Sequence, residues 1–222
     1  LVTGVQTCAL PIYLDLDIQN YITVDFAAVM DVIDEIGGVE VKVSAHEAKL
    51  MRKPIKELAL MRDKDPEDEY VTEGVQNLDG IQALSYMRIR KDKGGDFRRA
   101  KRQRKIVKKV ISKVKSSDLL TINSVMNKML PEMSTNLTTS NLTTLMLQMF
   151  SYDVDKMSGF PFKKTTRMMP GGDSVIAASL KSNVSNLHDF MFETSDYDPS
   201  DTVKKISENL SYMTGVYEGD GY

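Results

Sequence analysis

The spacing of apolar residues near the start of the chain predicts a strand, a helix and a second strand. Residues 21–26 (YITVDF) are mostly β-branched or aromatic, as is typical of a strand. Residues 26–36 place apolar side chains three or four positions apart and are followed by two glycines, which indicates a helix and its end. Residues 39–43 (VEVKV) alternate and predict another strand. The short connection leaves open whether the two strands are neighbours.

Helices dominate the prediction for the rest of the chain. Residues 44–70 are charged and irregular, so we expect a short helix near 45–51 and an exposed loop after it. Asp79 is placed to cap a helix. The other expected helices lie near 97–115, 118–130, 140–151, 183–192 and 202–213, and the other expected strands at 157–162 and 174–179. The predicted fold class is α/β, as a three-layer α-β-α sandwich with a mixed central sheet.

Composition and charge narrow the class of protein. With 222 residues, of which 41% are apolar and 27% charged, the chain suits one large globular domain and not a disordered segment. The net charge is −2, but residues 86–109 hold twelve Lys and Arg against two Asp, and the remainder is acidic. A short basic island in an acidic protein indicates a local anionic ligand. A broad nucleic-acid surface would make the whole domain basic, so nucleic acid is an unfavoured partner.

Cysteine and histidine contribute little to the candidate chemistry. Cys8 is the single cysteine, so an internal disulfide and a cysteine-based metal site are excluded. His46 and His188 are far apart and lack ligand spacing, so we expect both to be ordinary surface or hydrogen-bonded residues. The sequence contains no run of about 18 apolar residues, so none of its segments is predicted to span a membrane.

The first twelve residues, LVTGVQTCALPI, have no clear period and resemble a translated sequencing adapter. We therefore expect residues 1–12 to be non-native and the natural N-terminus to be missing. The absence of a signal or anchor segment from this sequence then says little about the parent protein.

The helix expected at 97–115 carries the candidate binding chemistry. At about 100° per residue, Arg99 and Gln103 fall on the same face as Ile106 and Val110, and Arg102 falls on the edge of that face. An arginine on an inward face needs an anionic partner, because burying an unpaired charge is costly. The N-terminal end of a helix also favours an anion. Arg99 and Gln103 are therefore candidate anion-binding residues.

Two further arginines precede this helix. Arg88 and Arg90 are two positions apart, so in an extended segment both side chains leave on the same side. Together with Arg99 they would clamp a polyphosphate through bidentate hydrogen bonds. Asp96 is placed to orient one arginine or to approach a metal. The spacing alone also allows a plain network of salt bridges among Arg, Asp and Glu, and this alternative stays open.

The whole basic stretch resembles a known family signature. Residues 78–90 read LDGIQALSYMRIR, and residues 95–103 read GDFRRAKRQ. This string is similar to the signature of the LytR-CpsA-Psr family, roughly L-N-G-x-x-A-L-x-Y-x-R-x-R, a short loop, and D-F-x-R-x-x-R-Q. The earlier YITVDF and IGGVEV segments resemble the middle region of the same family. The resemblance covers about residues 15–115, and the order and spacing of its motifs are specific.

The resemblance implies roles for the motif residues. The family residues that hold the pyrophosphate of a polyprenyl-linked substrate match Arg88, Arg90, Arg99 and Gln103. The three arginines of this set are the expected catalytic residues. Arg102 and Asp96 belong to the motif in less defined roles, Arg102 towards the pyrophosphate and Asp96 as a supporting residue. The family uses Mg²⁺ to neutralise the pyrophosphate, and its ligands in this sequence are unknown.

The reaction that the resemblance implies is a phosphotransfer in cell-wall assembly. Family members move a glycopolymer, such as teichoic acid or capsule, from a polyprenyl-pyrophosphate carrier to a sugar hydroxyl of peptidoglycan. Positioning and charge stabilisation supply most of the catalysis in such a reaction. The resemblance also implies a parent protein held in the bacterial cell membrane by a single N-terminal anchor, with this domain on the extracytoplasmic face.

The sequence departs from the family pattern before Tyr13. The family carries there a segment with an arginine and with acidic residues that approach the metal, and no counterpart is present. We therefore expect residues 13–195 to be the catalytic domain without its N-terminal part, and residues 196–222 to be a C-terminal helix and tail. We also expect this chain to be weakly active or inactive, which Mg²⁺-dependent transfer by residues 13–222 would contradict.

Two functional alternatives stay open. The basic helix is compatible with a cell-envelope transcriptional regulator or attenuator, although no helix-turn-helix pattern is apparent. The same anion site would also suit a non-catalytic lipid-pyrophosphate carrier or a pyrophosphatase. Four methionines on helical stripes favour core packing over a groove for a polyprenyl tail: Met126, Met129, Met146 and Met149.

Overall fold

The computed structural model describes residues 3–92, 95–152, 154 and 156–222, without the side chains of 3–8, 146 and 149. The helices are α1 (Thr3–Leu14), α2 (Phe26–Glu35), α3 (Ala45–Met61), α4 (Gly80–Arg88), α5 (Gly95–Lys115), α6 (Leu119–Met129), α7 (Thr139–Gln148), α8 (Leu180–Phe192) and α9 (Asp201–Thr214). The strands are β1 (Ile22–Val24), β2 (Val39–Val43), β3 (Gly74–Leu78), β4 (Met133–Thr135), β5 (Lys164–Met169) and β6 (Gly172–Ala177). Short 3-10 turns lie at Leu130–Glu132, Met149–Ser151 and Glu218–Asp220.

The strands pair in antiparallel two-stranded ladders throughout the described ranges. β1 pairs with β4, β2 with β3, and β5 with β6. The strands on either side of α2 are therefore not neighbours, because each of them pairs with a later strand. Helices and strands are interspersed along the chain, and the predicted α/β class is confirmed.

The chain divides into two compact units. Residues 20–155 form a central unit, and residues 1–19 with 156–222 form a terminal unit. The main apolar core lies within the central unit, and the terminal unit has two small apolar clusters of its own. The domain boundaries expected from the sequence, after residues 12 and 195, stay a prediction.

α3 packs a continuous apolar face into the core of the central unit. Met51, Ile55 and Leu58 are fully buried there. Ser44 caps the start of the helix, and its side chain forms a reciprocal capping box with Glu47. The prediction of a helix ending near residue 51 was wrong. Charged residues on the solvent face concealed the buried stripe, which continues to the end of α3.

The start of α4 is fixed by close packing on α2. A Cβ atom at Gly80 would lie 2.4 Å from the backbone oxygen of Met30, so a side chain does not fit at this position. The Gly80 amide donates to Asp34 Oδ1 at 2.7 Å. Asp79 caps the helix in a reciprocal box with Gln82, which confirms its predicted role. These contacts place the helix whose last residue is the first candidate arginine.

The terminal unit is held by buried polar contacts as well as by apolar ones. Asn183 is fully buried, and its Nδ2 donates to three backbone carbonyl groups. His188 stacks on Tyr197 with ring centroids 3.7 Å apart, and its Nε2 lies 3.0 Å from the Leu14 carbonyl oxygen. His46 is exposed. Both histidines are therefore ordinary residues, as predicted.

The ends of the chain differ from the prediction in two places. The strand expected at 157–162 is absent, and the ladder begins after it with β5. The aromatic residues that suggested a strand pack ring against ring instead, with Phe162 touching both Phe160 and Phe190. At the other end, residues without an apolar period form most of α1. Among the helices of the described residues, none combines the length and the apolar content needed to cross a membrane.

Candidate functional site

Two helices and the segment between them bring the candidate residues together in the central unit. α4 ends at Arg88, and Arg90 follows in the connecting segment. The first turns of α5 carry Asp96, Arg99 and Arg102. α4 and α5 pack against each other, so their two linked ends are close. Arg88 is still helical, and the extended geometry expected to align it with Arg90 is therefore wrong.

Arg90 and Arg99 converge on one carboxylate. Arg90 Nε lies 3.5 Å from Asp96 Oδ1, and Arg99 Nη1 lies 3.2 Å from the same oxygen. The side chains of Arg90 and Asp96 are 65% and 61% exposed, so solvent reaches the group. The two guanidiniums thus share one anion, and that anion is the Asp96 carboxylate. We call these three residues the Asp96 cluster.

Arg88 is paired with a different carboxylate. Its Nη2 lies 3.2 Å from Glu57 Oε2 on α3, and its guanidinium lies 5.7 Å from the ring centroid of Phe26. The side chain is partly exposed. Ion pairs at a surface contribute at most about 1 kcal/mol. A stronger anion can therefore replace Glu57 at little energetic cost.

Arg102, and not Gln103, faces inward from α5. The Arg102 side chain is buried, whereas Gln103 is exposed and Arg99 only partly buried. Arg102 Nε donates to Glu47 Oε1 at 3.0 Å and Nη1 to the Ile89 carbonyl at 3.3 Å. The expected inward pair of Arg99 and Gln103 is therefore corrected. The buried side of α5 is rotated towards Arg102, because partners for its charge lie on that side.

The salt-bridge alternative describes Arg102 well. Its Nη2 also contacts the buried carboxylate of Asp92, which Arg98 Nη1 approaches to 3.7 Å. Tyr86 lies under the guanidinium, 5.8 Å from Cζ to ring centroid. All three nitrogen groups of Arg102 are thus occupied by the protein itself. It holds the segment between α4 and α5 in place rather than offering a free donor.

Two carboxylates that pair with motif arginines lie outside the motif and escaped the sequence analysis. Glu47 and Glu57 lie on α3, far from the motif in sequence. Glu47 carries a local signal, its capping box with Ser44, but Glu57 is only one of several charged residues on the solvent face. Burial raises the pKa of Glu47, but hydrogen bonds from Arg102 and Ser44 outweigh burial and leave it below its usual value. Glu47 therefore stays ionised opposite Arg102.

No set of three or more Asp, Glu, His or Cys that could hold a metal ion occurs in the part of the chain that the structure describes. Asp92 and Asp96, the carboxylates of the motif itself, are each engaged by arginines. The Mg²⁺ implied by the family resemblance therefore does not find a ligand set in these residues, and we derive no chemical step through it.

An apolar cavity of about 200 Å³ lies between α2, α5 and α6. Its wall is entirely apolar and includes Met87, the residue before Arg88, and Met129, one of the methionines marked in the sequence. The remaining lining residues are Val24, Ala28, Val29, Val32, Ile33, Ile106, Val107, Val110 and Ile111. A space of this size with an apolar wall can hold an apolar molecule.

The structure thus places partly exposed arginines beside an apolar cavity in an α/β fold. The model of the LytR_cpsA_psr family matches residues 6–189 of the sequence. The chain therefore belongs to the LytR-CpsA-Psr family, as its motifs indicated.

Relatives of known name include teichoic acid transferases. TagV of Bacillus subtilis (strain 168), named polyisoprenyl-teichoic acid–peptidoglycan teichoic acid transferase, is 30% identical over 214 residues, or 93% of this chain and 47% of that protein. TagU of Enterococcus faecalis, a transferase of the same description, is 34% identical over 116 residues, or 52% of this chain and 31% of that protein. The chain spans about half the length, or less, of these curated relatives.

Solved structures share the fold. A protein from Streptococcus agalactiae superposes with a TM-score of 0.63 at 23% identity, over 86% of this chain and 62% of that chain. The structure described as TagT bound to LI-WTA superposes with a TM-score of 0.55 at 18% identity, over 97% of this chain and 69% of that chain. At these identities the likeness establishes the fold.

Proposed function

We propose that this protein transfers polyprenyl-pyrophosphate-linked glycopolymers, such as teichoic acid, to peptidoglycan. The observation that carries the proposal is the Asp96 cluster, in which two guanidiniums share one solvent-reachable carboxylate. A pyrophosphate carries more negative charge than a carboxylate and suits bidentate hydrogen bonds from arginine, so it would displace Asp96. Family membership and the names of the relatives support the assignment.

The proposed reaction is a transfer between two oxygen atoms. A sugar hydroxyl of peptidoglycan forms a bond to the phosphorus that carries the glycan, and the bond from that phosphorus to the bridging oxygen breaks. The hydroxyl proton is released, and polyprenyl phosphate leaves. Arg88, Arg90 and Arg99 would neutralise the charge that develops on the phosphate oxygens, which is the main form of catalysis in phosphoryl transfer.

Gln103 and Arg102 receive different roles in this proposal. Gln103 is exposed on α5, one turn beyond Arg99, and its amide would donate to a pyrophosphate oxygen. Arg102 is buried and fully hydrogen-bonded, so it would position the segment that carries Arg90 instead of binding the substrate. Asp96 would act as the internal anion that keeps Arg90 and Arg99 together until the substrate arrives.

The apolar cavity would receive the polyprenyl chain next to the pyrophosphate. Met87 lines the cavity and Arg88 follows it on α4, so an apolar wall and a cationic group are adjacent. Met129 packs against the main core, as the sequence analysis favoured, and it also lines the cavity. The side chains of Met146 and Met149 lie outside the described set. Attachment to the membrane on the extracytoplasmic face and Mg²⁺ stay predictions of the resemblance.

The binding step is tested with farnesyl pyrophosphate and isothermal titration calorimetry. The double variant Arg88→Ala/Arg99→Ala is expected to bind about 100-fold more weakly, because each charge-assisted contact contributes about 1.5 kcal/mol or more. Asp96→Asn is expected to bind more tightly, because the competing charge is gone. Lys42→Ala/Lys49→Ala removes two exposed cations elsewhere in the central unit and is the matched control. Equal affinity of the arginine variant and the control would contradict the proposal.

The chemical outcome separates transfer from hydrolysis. With a lipid-linked glycopolymer and a peptidoglycan acceptor, the proposal predicts glycan covalently joined to peptidoglycan. Free, phosphate-terminated glycan would identify a pyrophosphatase, and unchanged substrate that remains bound would identify a carrier.

A further inference from the structure

The outer side of α5 carries cations that the candidate site does not use. The sequence from 97 to 117 holds many Lys and Arg but no Asp or Glu. Four of these cations fall within about 60° of one another around the helix axis, opposite its buried side: Lys101, Arg104, Lys108 and Lys115. They extend over about 21 Å, at 1.5 Å per residue. We call these four residues the cationic stripe.

The stripe is separate from the ion pairs of the candidate site. The ion pairs that α5 forms in the described ranges involve Arg98, Arg99 and Arg102, together with Asp96, on the other faces of the helix. In the same part of the chain, no carboxylate lies within ion-pair distance of Lys101, Arg104 or Lys108. Lys101, Arg104 and Lys108 therefore present positive charge that no described carboxylate offsets, which fits an anionic partner. Lys115, at the end of the stripe, also donates to the Tyr152 carbonyl.

Two exposed leucines lie at the C-terminal end of the stripe. Leu119 and Leu120 are 77% and 83% exposed on the first turn of α6, and they follow Lys115 by only four and five residues. A pair of fully hydrated leucines beside a row of cations does not suit a nucleic acid or a soluble polyanion, because neither provides apolar depth. A lipid bilayer with anionic headgroups provides both the charge and the apolar interior.

The stripe also borders the apolar cavity. Val107, Val110 and Ile111 of α5 line the cavity, and Ile111 lies only about 60° around the helix from Lys108. If the cations of α5 contacted lipid headgroups, the apolar cavity would therefore lie close to the membrane surface.

We propose that the cationic stripe, with Leu119 and Leu120, is a membrane-docking surface for bilayers that contain anionic lipid. The cations contact headgroup phosphates along α5, and the two leucines insert among the upper parts of the acyl chains. This surface acts in addition to any membrane anchor. It does not include the Asp96 cluster, so its test is independent of glycopolymer transfer.

The test is co-sedimentation of the 222-residue chain with vesicles of phosphatidylglycerol and phosphatidylcholine, or of phosphatidylcholine alone. We expect binding to the anionic vesicles that weakens as salt is raised. Each cation near such a surface raises the partition coefficient about fivefold. The triple variant Lys101→Gln/Arg104→Gln/Lys108→Gln should therefore bind about 100-fold more weakly. Leu119→Ser/Leu120→Ser should lose about tenfold, because two apolar side chains no longer leave water.

Matched controls come from α3 and β2 of the same unit. Lys42→Gln/Lys49→Gln/Lys56→Gln removes three exposed cations, and Leu60→Ser/Met61→Ser removes two exposed apolar residues. Both controls should bind within about twofold of the natural sequence. Equal losses in variants and controls, or no binding to anionic vesicles, would overturn the proposal. Binding to duplex DNA that depends on the stripe but not on the leucines, without vesicle binding, would assign the stripe to nucleic acid.

Discussion

Arg102 ties three parts of the central unit to one guanidinium. It joins Glu47 at the start of α3, the carbonyl of Ile89 after α4 and the buried Asp92 that precedes α5. A buried network of this kind adds modest net stability when complete. Removing one member is far more costly, because the remaining charges stay buried without their partner.

Arg102→Ala is expected to lower the free energy of unfolding by about 3–5 kcal/mol, measured by urea denaturation. Arg102→Lys should lower the free energy of unfolding by a smaller amount, but still by more than about 1 kcal/mol, because one ammonium cannot serve three separate acceptors. Arg104→Ala, on the exposed side of the same helix, is the control and should change stability by about 0.5 kcal/mol or less. If Arg102→Ala were as stable as this control, the network would have no structural role.

The motif residues could be predicted from the sequence, but their orientation could not. Asp96, Arg90 and Arg99 were marked by spacing and do meet on one oxygen. The choice between Gln103 and Arg102 as the inward residue depended on about 100° of helix rotation, which apolar periodicity fixes poorly on so charged a helix. Arg102 faces inward because Glu47 on α3 pairs with it, and no local sequence signal relates Glu47 to Arg102.

At the scale of elements, the N-terminus of α4 concentrates negative charge. Asp79 caps the helix, Asp34 accepts from the Gly80 amide, and the buried Glu69 pairs with Lys64 at 2.9 Å. Burial raises the pKa of Asp79 to about 6, with further contributions from the neighbouring Glu69 and Asp34 carboxylates and a partial offset from the Gln82 amide. A protonated Asp79 can donate a hydrogen bond to Glu69, whereas an ionised one repels it.

Asp79→Asn should change how stability depends on pH. The folded state raises the pKa of Asp79 from 3.8 to about 6. The bound proton therefore stabilises the fold fully below about pH 4, and this stabilisation is lost as the pH rises through about 6. Asparagine caps a helix equally well and has no proton to lose. We expect near-equal stability at pH 4 and a gain of about 1 kcal/mol at pH 7, after allowance for partial exposure.

Urea denaturation at pH 4, 5, 6 and 7 measures this effect. Asp118→Asn at the cap of α6 is the control. A hydrogen bond from the Thr121 amide lowers the pKa of Asp118, so this variant should gain no stability at pH 7. An unchanged pH profile in Asp79→Asn would exclude Asp79 as the titrating group.

Element boundaries were predictable where capping and glycine signals are local. Asp79 and the paired glycines after α2 were found in this way. The second half of α3 was missed because Pro54 and alternating charges mask an apolar stripe that only packing reveals. β3 was missed because GVQNL has little strand character of its own, and its pairing with β2 supplies the missing stability.

At the scale of the molecule, the core is confined to one stretch of chain. The buried residues of the main core all fall between Met30 and Val125. Each apolar cluster of the terminal unit has three buried members, and that unit is assembled from two separate stretches. The two units therefore differ in their capacity to fold as isolated segments.

Residues 20–155 expressed alone are expected to unfold cooperatively in urea, with a helical circular dichroism spectrum. Residues 156–222 alone are expected to be unfolded, because the partners of their clusters include residues of the N-terminal stretch, such as Leu14. A gradual, non-cooperative transition for the 20–155 segment would show that its core is incomplete by itself.

The charge pattern of α5 has a consequence for the helix itself. Lys101 and Lys105, Arg104 and Lys108, and Lys109 and Lys113 are like-charged pairs four residues apart, and each such pair destabilises a helix by a few tenths of a kcal/mol, roughly. Added salt screens this repulsion, so it should stabilise α5, whereas it weakens the attraction in most surface ion pairs. Amide hydrogen exchange along α5 should accordingly slow as sodium chloride is raised from low concentration. The stability of α5 thus depends in part on dissolved ions, which the surroundings supply.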